Sequence, residues 1–247
     1  MHCLNGRVIK PEILDTLPEE QARASLADLT RINARWGGHS TLRKLLRSVV
    51  NMPLRSVVNQ PLRSVSNNPP REAFRPNDRF SMLDVGAASG DMGDRVREWY
   101  PGARVVSLDR IATHLAKAQG ERVAGDAFQL PFAGRSFDYV FCSLFLHHFT
   151  NENAVLLLRE FARVARRAVL VIDLERNPVA YYFLPWTRSI FGWDPVTVYD
   201  GAISVEAAFK PRELEALAAR AGLKNPCARA YRPAFRIAMT AYVEEAL

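Results

Sequence analysis

The chain has 247 residues, of which 48% are hydrophobic, 24% charged and 10% aromatic; this excludes a mostly disordered chain, a collagen-like fibre and a small disulfide scaffold. The length suits one substantial core with an accessory element. The formal net charge of +7 invites a nucleic-acid partner, but residues 41–80 hold eight basic against two acidic side chains while 81–247 hold twenty against nineteen, so the basicity belongs to one segment.

Cys3, Cys142 and Cys227 are odd in number and form no C-x-x-C pair. A reducing, cytoplasmic compartment is expected, with no structural metal. The start, MHCLNGRVIKPEIL, has no apolar run of signal-peptide length, and no stretch approaches the roughly 18 apolar residues of a membrane span.

Apolar spacing predicts a helix over 11–38, ended by Gly37-Gly38. Ser40 then caps a second helix with Leu42, Leu45, Leu46, Val49 and Val50 on one face and Arg43, Lys44 and Arg47 on the other. Packing of this helix on the main domain is the simpler expectation; peripheral contact of 41–50 with a membrane surface is the alternative. Three near-copies of eight residues follow, LRSVVNMP, LRSVVNQP and LRSVSNNP over 46–69, each closed by proline. Proline cuts a helix and removes ladder donors from a strand, so the repeat reads as a tandem duplication in a linker. The chain is thus divided into a helical cap (1–45), a basic repeat-containing linker (46–78) and a main domain (79–247).

From residue 79 strands and helices alternate. Strands are predicted over 79–85, 103–108, 122–124, 137–143 and 168–174, with helices over 91–100, 111–119 and 151–166. Short connections and apolar strands such as YVFCSLF imply a doubly wound, mostly parallel sheet covered on both faces. An aromatic-rich insertion over 178–200 carries Tyr181, Tyr182, Phe183, Trp186, Phe191, Trp193 and Tyr199, at the end of the sheet where ligands enter. It is expected to form a lid. A helix over 211–221 and strands near 223–231 and 234–243 finish the chain, the last one a candidate for antiparallel pairing.

The segment MLDVGAASGDMG at 82–93 reads as strand, glycine turn and helix start, with Gly86 and Gly90 in the turn. Its G-x-x-x-G-x-x-G spacing differs from the G-x-G-x-x-G of dinucleotide folds. Asp84, Asp91 and Asp94 disfavour a pyrophosphate at the helix start and suit a ligand with cationic groups, such as S-adenosylmethionine. An NAD-dependent oxidoreductase is disfavoured on both counts. Asp109, twenty-three residues after Gly86, can accept both ribose hydroxyls, and Asp126 can accept from an exocyclic amine. Asp138 opens the fourth strand, so three acids at consecutive strand ends suggest one site.

Together LDVGAASGD at 83–91, VSLD at 106–109, GDAFQLPF at 125–132, SFDYVFCSLFLHHF at 136–149 and LREFARVARRAVLVIDLE at 158–175 resemble the class I S-adenosylmethionine-dependent methyltransferases of the type 11, quinone-biosynthesis group. The resemblance covers about residues 80–245 and implies a seven-stranded Rossmann-like fold with an N-terminal helical cap. It implies that Asp84, Gly86, Ala87, Ala88 and Gly90 surround the methionine part of the cofactor and that Asp109 and Arg110 bind the ribose. Asp126 and Ala127 would flank the adenine, and Ser143 would line the methyl-transfer channel. Ala88 stands where the family has a glycine, and Ala-Arg-Arg at 165–167 replaces the usual Pro-Gly-Gly.

The implied activity is methyl transfer, foremost O-methylation, to a small apolar or aromatic acceptor such as a phenol, quinol or polyketide, as in secondary metabolism. His147, His148, Tyr199 and Asp200 are the candidates for contacting the acceptor or removing its proton. A nucleic-acid methyltransferase and a non-catalytic S-adenosylmethionine-binding module are the alternatives. Ser143-Leu-Phe-Leu lacks the Asn/Asp-Pro-Pro-aromatic motif of base-modifying enzymes, and the site acids that a non-catalytic module would lose are present.

Overall fold

The computed structural model describes Leu4 and residues 6–50 and 79–244. Most of the repeat lies outside the described residues; its first five residues, 46–50, are helical.

The main body is one seven-stranded sheet in the order β3-β2-β1-β4-β5-β7-β6. Its strands are β1 (Ser81–Val85), β2 (Arg104–Asp109), β3 (Glu121–Ala124), β4 (Phe137–Ser143), β5 (Ala165–Leu174), β6 (Lys224–Tyr231) and β7 (Arg236–Tyr242). Strands β1 to β5 pair in parallel, whereas β7 runs antiparallel to both β5 and β6. The order reverses between β1 and β4, so their C-terminal ends open the crevice in which such sheets bind ligands.

Among the described residues the α-helices are α1 (Glu19–Arg35), α2 (Gly38–Val50), α3 (Asp91–Trp99), α4 (Asn151–Val164), α5 (Pro178–Phe191), α6 (Pro195–Ala207) and α7 (Pro211–Arg220). On one face Val140, Val169 and Val171 pack with Leu157, Leu158 and Phe161 of α4 and Leu214 of α7. On the other, Leu42, Leu45, Leu46 and Val49 of α2 and Met92 and Val96 of α3 pack on Met82, Phe141 and Leu170. The apolar face of α2 is therefore packed into the core. No helix of the described residues is long and apolar enough to cross a membrane.

Four predicted elements differ. The second helix starts at Gly38, before its expected cap Ser40, whose hydroxyl donates to Gly37 O. The helix expected over 11–38 starts only at Glu19, behind Pro18, and residues 6–13 instead form a strap ending in a 3-10 turn at Leu14–Thr16. Proline is tolerated at a helix start but not inside one, which sets this boundary. The helix expected over 111–119 shrinks to a 3-10 turn at His114–Lys117 that buries only Leu115; so short a segment with one apolar anchor cannot offset the cost of helix nucleation. The predicted 151–166 helix stops at Val164, and β5 starts at Ala165.

The insertion is a pair of helices, α5 and α6, each started by an Asn or Asp cap and a proline, at Asn177-Pro178 and Asp194-Pro195. Its aromatics divide by side. Phe183, Phe191 and Trp193 surround Trp36, just after α1, with ring centroids 4.9 to 5.7 Å away. Trp186 is 69% exposed and stacks on Tyr182. The insertion is thus joined to the N-terminal cap through one aromatic cluster.

Candidate functional site

A cavity of about 660 Å³ lies at the C-terminal ends of the parallel strands, roofed by α1, α5, α6 and the strap. A smaller recess of about 90 Å³ holds Asp84, Ala87, Asp91 and Ser143 and shares Gly86, Ala88 and Leu144 with the large cavity.

The glycine turn builds the border between the two. Gly86 has φ +69°, and a Cβ there would lie 2.4 Å from the Phe145 ring; Gly90 has φ +74°, and its Cβ would lie 2.3 Å from that of Ala118. Neither position admits a side chain. Ala88 has φ +46°, so the residue that replaces the family glycine sits in the left-handed region at a cost of about 1–2 kcal/mol. Its N–H donates to Asp109 Oδ2 at 2.9 Å, which holds the turn against the end of β2. The other Asp109 oxygen accepts from Ile111 N–H at 2.9 Å, and each keeps a lone pair for a further donor.

Asp109, Arg110, Asp126 and Ala127 all line the large cavity. Asp126 accepts from Phe128 N–H at 2.9 Å, placing Phe128 beside it, edge-on to Phe149. Asp84 is fully buried beneath α3, and burial, aided by the charge of Asp91, pushes its pKa up to about 8. Asp84 Oδ2 and Ser143 Oγ are buried with no hydrogen-bond partner. A buried carboxylate oxygen and a buried hydroxyl left open at one recess fit a ligand with an ammonium or other donor groups. Asp138 lies elsewhere: it accepts from the N–H and hydroxyl of Ser81 at the opposite end of the sheet. Three acids at consecutive strand ends are therefore two at the site and one structural.

Of the acceptor candidates, His147, His148 and Asp200 line the cavity. Tyr199 is 51% exposed and is not part of the cavity wall, because its turn of α6 directs it to solvent while Asp200 faces inward. Asp200 accepts from the N–H groups of Ile13 and Leu14, both at 2.9 Å, and so ties the strap to α6.

His147 is buried, and its Nδ1 donates to Asp173 Oδ1 at 2.6 Å while Nε2 faces Glu12 Oε1 at 3.4 Å. Burial opposes its charge, but the charge and hydrogen bond of Asp173, joined by those of Glu12, raise its pKa to about 10. Burial also opposes ionisation of Glu12, yet the His147 hydrogen bond and the charges of His148 and His147 hold its pKa down to about 2. Ser204 donates a hydroxyl hydrogen bond to Glu12. His147 is thus an imidazolium between two carboxylates at neutral pH, and it has no free lone pair with which to take a proton. His148 stacks on it at 4.3 Å, with Nδ1 4.0 Å from Glu12 Oε1. Donor atoms of Glu12, His147 and His148 lie within 4.8 Å of one another.

Sequence reasoning missed three residues here. Glu12 comes from a strap that carries no motif. Asp173 and Arg236 did leave a signal, each being the one charge in an otherwise apolar stretch of strand, VLVIDL and RIAMTAY.

Residues 83–172 match the family described as "Methyltransferase domain". The chain is 33% identical over 132 residues to a demethylmenaquinone methyltransferase of Roseiflexus sp. (strain RS-1), covering 46% of this chain and 55% of that protein. It is 30% identical over 135 residues to the ubiquinone/menaquinone biosynthesis C-methyltransferase UbiE of Paracoccus denitrificans, covering 50% and 53%. The chain spans about half the length of the curated relatives it matches. Among solved structures, a SAM dependent methyltransferase from Aquifex aeolicus superposes with a TM-score of 0.51 at 14% identity, covering 69% of this chain and 86% of that one. That likeness is one of fold.

Proposed function

We infer that this chain, whose residues 83–172 match a methyltransferase-domain family, is a class I S-adenosylmethionine-dependent methyltransferase that transfers the methyl group to an oxygen of a small apolar or aromatic acceptor such as a phenol or quinol. The reading rests on one cavity whose wall carries the polar Asp109 and Asp126 as well as the apolar Ile32, Trp36 and Phe183. The polar groups suit the cofactor and the apolar ones the acceptor.

When bound, S-adenosylmethionine supplies a methyl group already activated on a sulfonium, so the chain's task is placement and exclusion of water. Asp109 accepts the ribose hydroxyls with the lone pairs its amide partners leave free. Asp126, Ala127 and Phe128 flank the adenine. The open Asp84 Oδ2 and Ser143 Oγ take the polar end of the methionine part; a cationic group beside Asp84 favours its ionised form. The strap closes the acceptor side through Asp200 and the Glu12–His147 pair, and α5 and α6 cover the remainder. His147 holds that closure together. His148, at the cavity wall beside it, is the group that takes the acceptor's hydroxyl proton.

Incubation of the purified chain with radiolabelled S-adenosylmethionine and a panel of phenols, quinols, fatty acids and RNA tests this. Label on a phenol or quinol oxygen is expected. Label on RNA alone, or on ring carbon alone, refutes the acceptor assignment.

A further inference from the structure

Arg236 opens β7 opposite Leu174 of β5, at the ligand end of the sheet. The residue is only 2% exposed, yet it forms part of the wall of the large cavity with Ile32, Trp36, Ala234 and Phe235. Among the described residues its hydrogen bonding amounts to one 3.5 Å contact from Nη2 to Asn33 Oδ1, and Nε and Nη1 have no partner. Burial lowers its pKa to about 10, with Asp173 and Asp91 pulling the other way, so it is charged at neutral pH. Neither carboxylate makes an ion pair with it: Asp91 pairs with His39 at 3.1 Å and Asp173 with His147 at 2.6 Å.

The contrast with a second buried arginine is direct. Arg176 is 4% exposed and places its two Nη groups on the Glu213 carboxylate, at 2.6 and 3.0 Å, and on Ala208 O at 2.7 Å. A guanidinium taken out of water without such partners is costly, and buried donors are almost always satisfied. Its planar fork matches a carboxylate through two parallel hydrogen bonds.

We propose that Arg236 forms the anion subsite of the acceptor pocket, and that the methyl acceptor carries a carboxylate on its apolar body. This rests on the methyltransferase reading above and narrows its substrate class. The carboxylate belongs to the acceptor and not to the cofactor's amino-acid part, because Arg236 lines the large cavity and is absent from the recess that holds Asp84 and Ser143. Asn33, the one hydrogen-bond partner of Arg236 among the described residues, borders that recess, so S-adenosylhomocysteine affinity in Arg236 variants separates the two assignments.

Calorimetry on the full chain saturated with S-adenosylhomocysteine tests the subsite, with benzoate, 2-naphthoate and decanoate each compared with its neutral amide. At least one acid is expected to bind about 10-fold or more tighter than its amide, the scale of a hydrogen-bonded charge pair. Arg236→Gln reduces that preference to within about twofold and Arg236→Lys retains part of it, while S-adenosylhomocysteine affinity is unchanged in both. Equal affinity of acids and amides, or no measurable acid binding, overturns the proposal, and this comparison needs only the unaltered chain if a variant fails to fold. Loss of S-adenosylhomocysteine affinity in Arg236→Gln with the acid preference intact also overturns it, assigning the arginine to the cofactor. Failure of the methyltransferase reading looks different, because the unaltered chain then does not bind S-adenosylhomocysteine. The acids and amides are in that case compared on the chain alone, where tighter binding of an acid supports the anion subsite and equal affinity overturns it.

Discussion

Replacing Asp173 with Asn removes the charge that keeps His147 protonated while preserving shape. Asp173 is fully buried and accepts three hydrogen bonds, from His147 Nδ1 at 2.6 Å, His147 N–H at 3.2 Å and Leu174 N–H at 2.8 Å. Removing one member of a buried ion pair costs about 3–5 kcal/mol. Glu12 remains as a second counter-charge at 3.4 Å, which places the loss near the lower end, about 3 kcal/mol, or a fall in Tm of about 6–12 °C for a chain of this size. The pH dependence has a definite sign. His147 is raised from 6.5 to about 10 in the folded chain, so its contribution is complete below pH 6.5 and disappears as pH rises through about 10. The gap between the native chain and Asp173→Asn is therefore wide at pH 6 and narrows beyond pH 10. Urea unfolding followed by far-UV circular dichroism at pH 6 and pH 10.5 measures both. A loss below about 1 kcal/mol at pH 6, or a gap that does not change with pH, would refute the buried imidazolium.

Asp109→Ala removes the acceptor that fixes the Ala88 turn and faces the cavity; S-adenosylmethionine affinity should fall about 10-fold or more by calorimetry, and an unchanged affinity would defeat the cofactor assignment. Arg7 donates to the carbonyls of His147, Phe149 and Ala207 and stacks on Phe209, so Arg7→Ala should release the strap. Limited proteolysis should then cut within residues 6–18 faster than in the native chain, whereas equal rates would mean that Asp200 and Glu12 suffice to hold it. Tyr199 is half exposed and away from the cavity; Tyr199→Phe and Tyr199→Ala should leave kcat/KM within about twofold, since exposed positions without buried partners are tolerant. A tenfold drop would return it to the acceptor site.

The fold was legible because each strand end carries its own local signal. Gly86 and Gly90 mark the first turn, Asp109 and Asp126 the next two, and the apolar strands between them admit little but a parallel sheet covered on both sides. Local signals also misled where they served a different end of the same element. Asp138 reads like Asp109 in sequence, yet a strand has two ends, and pairing with Ser81 uses the one away from the ligand. Only the register, Met82 opposite Tyr139, separates the two cases.

The acceptor half of the site was illegible for a related reason. Its charged groups come from four separate stretches, Glu12, His147, Asp173 and Arg236, and each acquires its chemistry from a neighbour distant in the chain. His147 in isolation is a candidate base; between Asp173 and Glu12 it holds its proton and serves as a brace. Arg236 in isolation is a strand-end charge; behind a cap whose α1 offers it only Asn33, it becomes a cation without a counter-ion at the wall of a cavity. The two outcomes are linked, since Asp173 pairs with His147 and also attracts the charge of Arg236. On the proposed reading, the partner of that one buried carboxylate bears both on which histidine is the base and on what charge the acceptor brings.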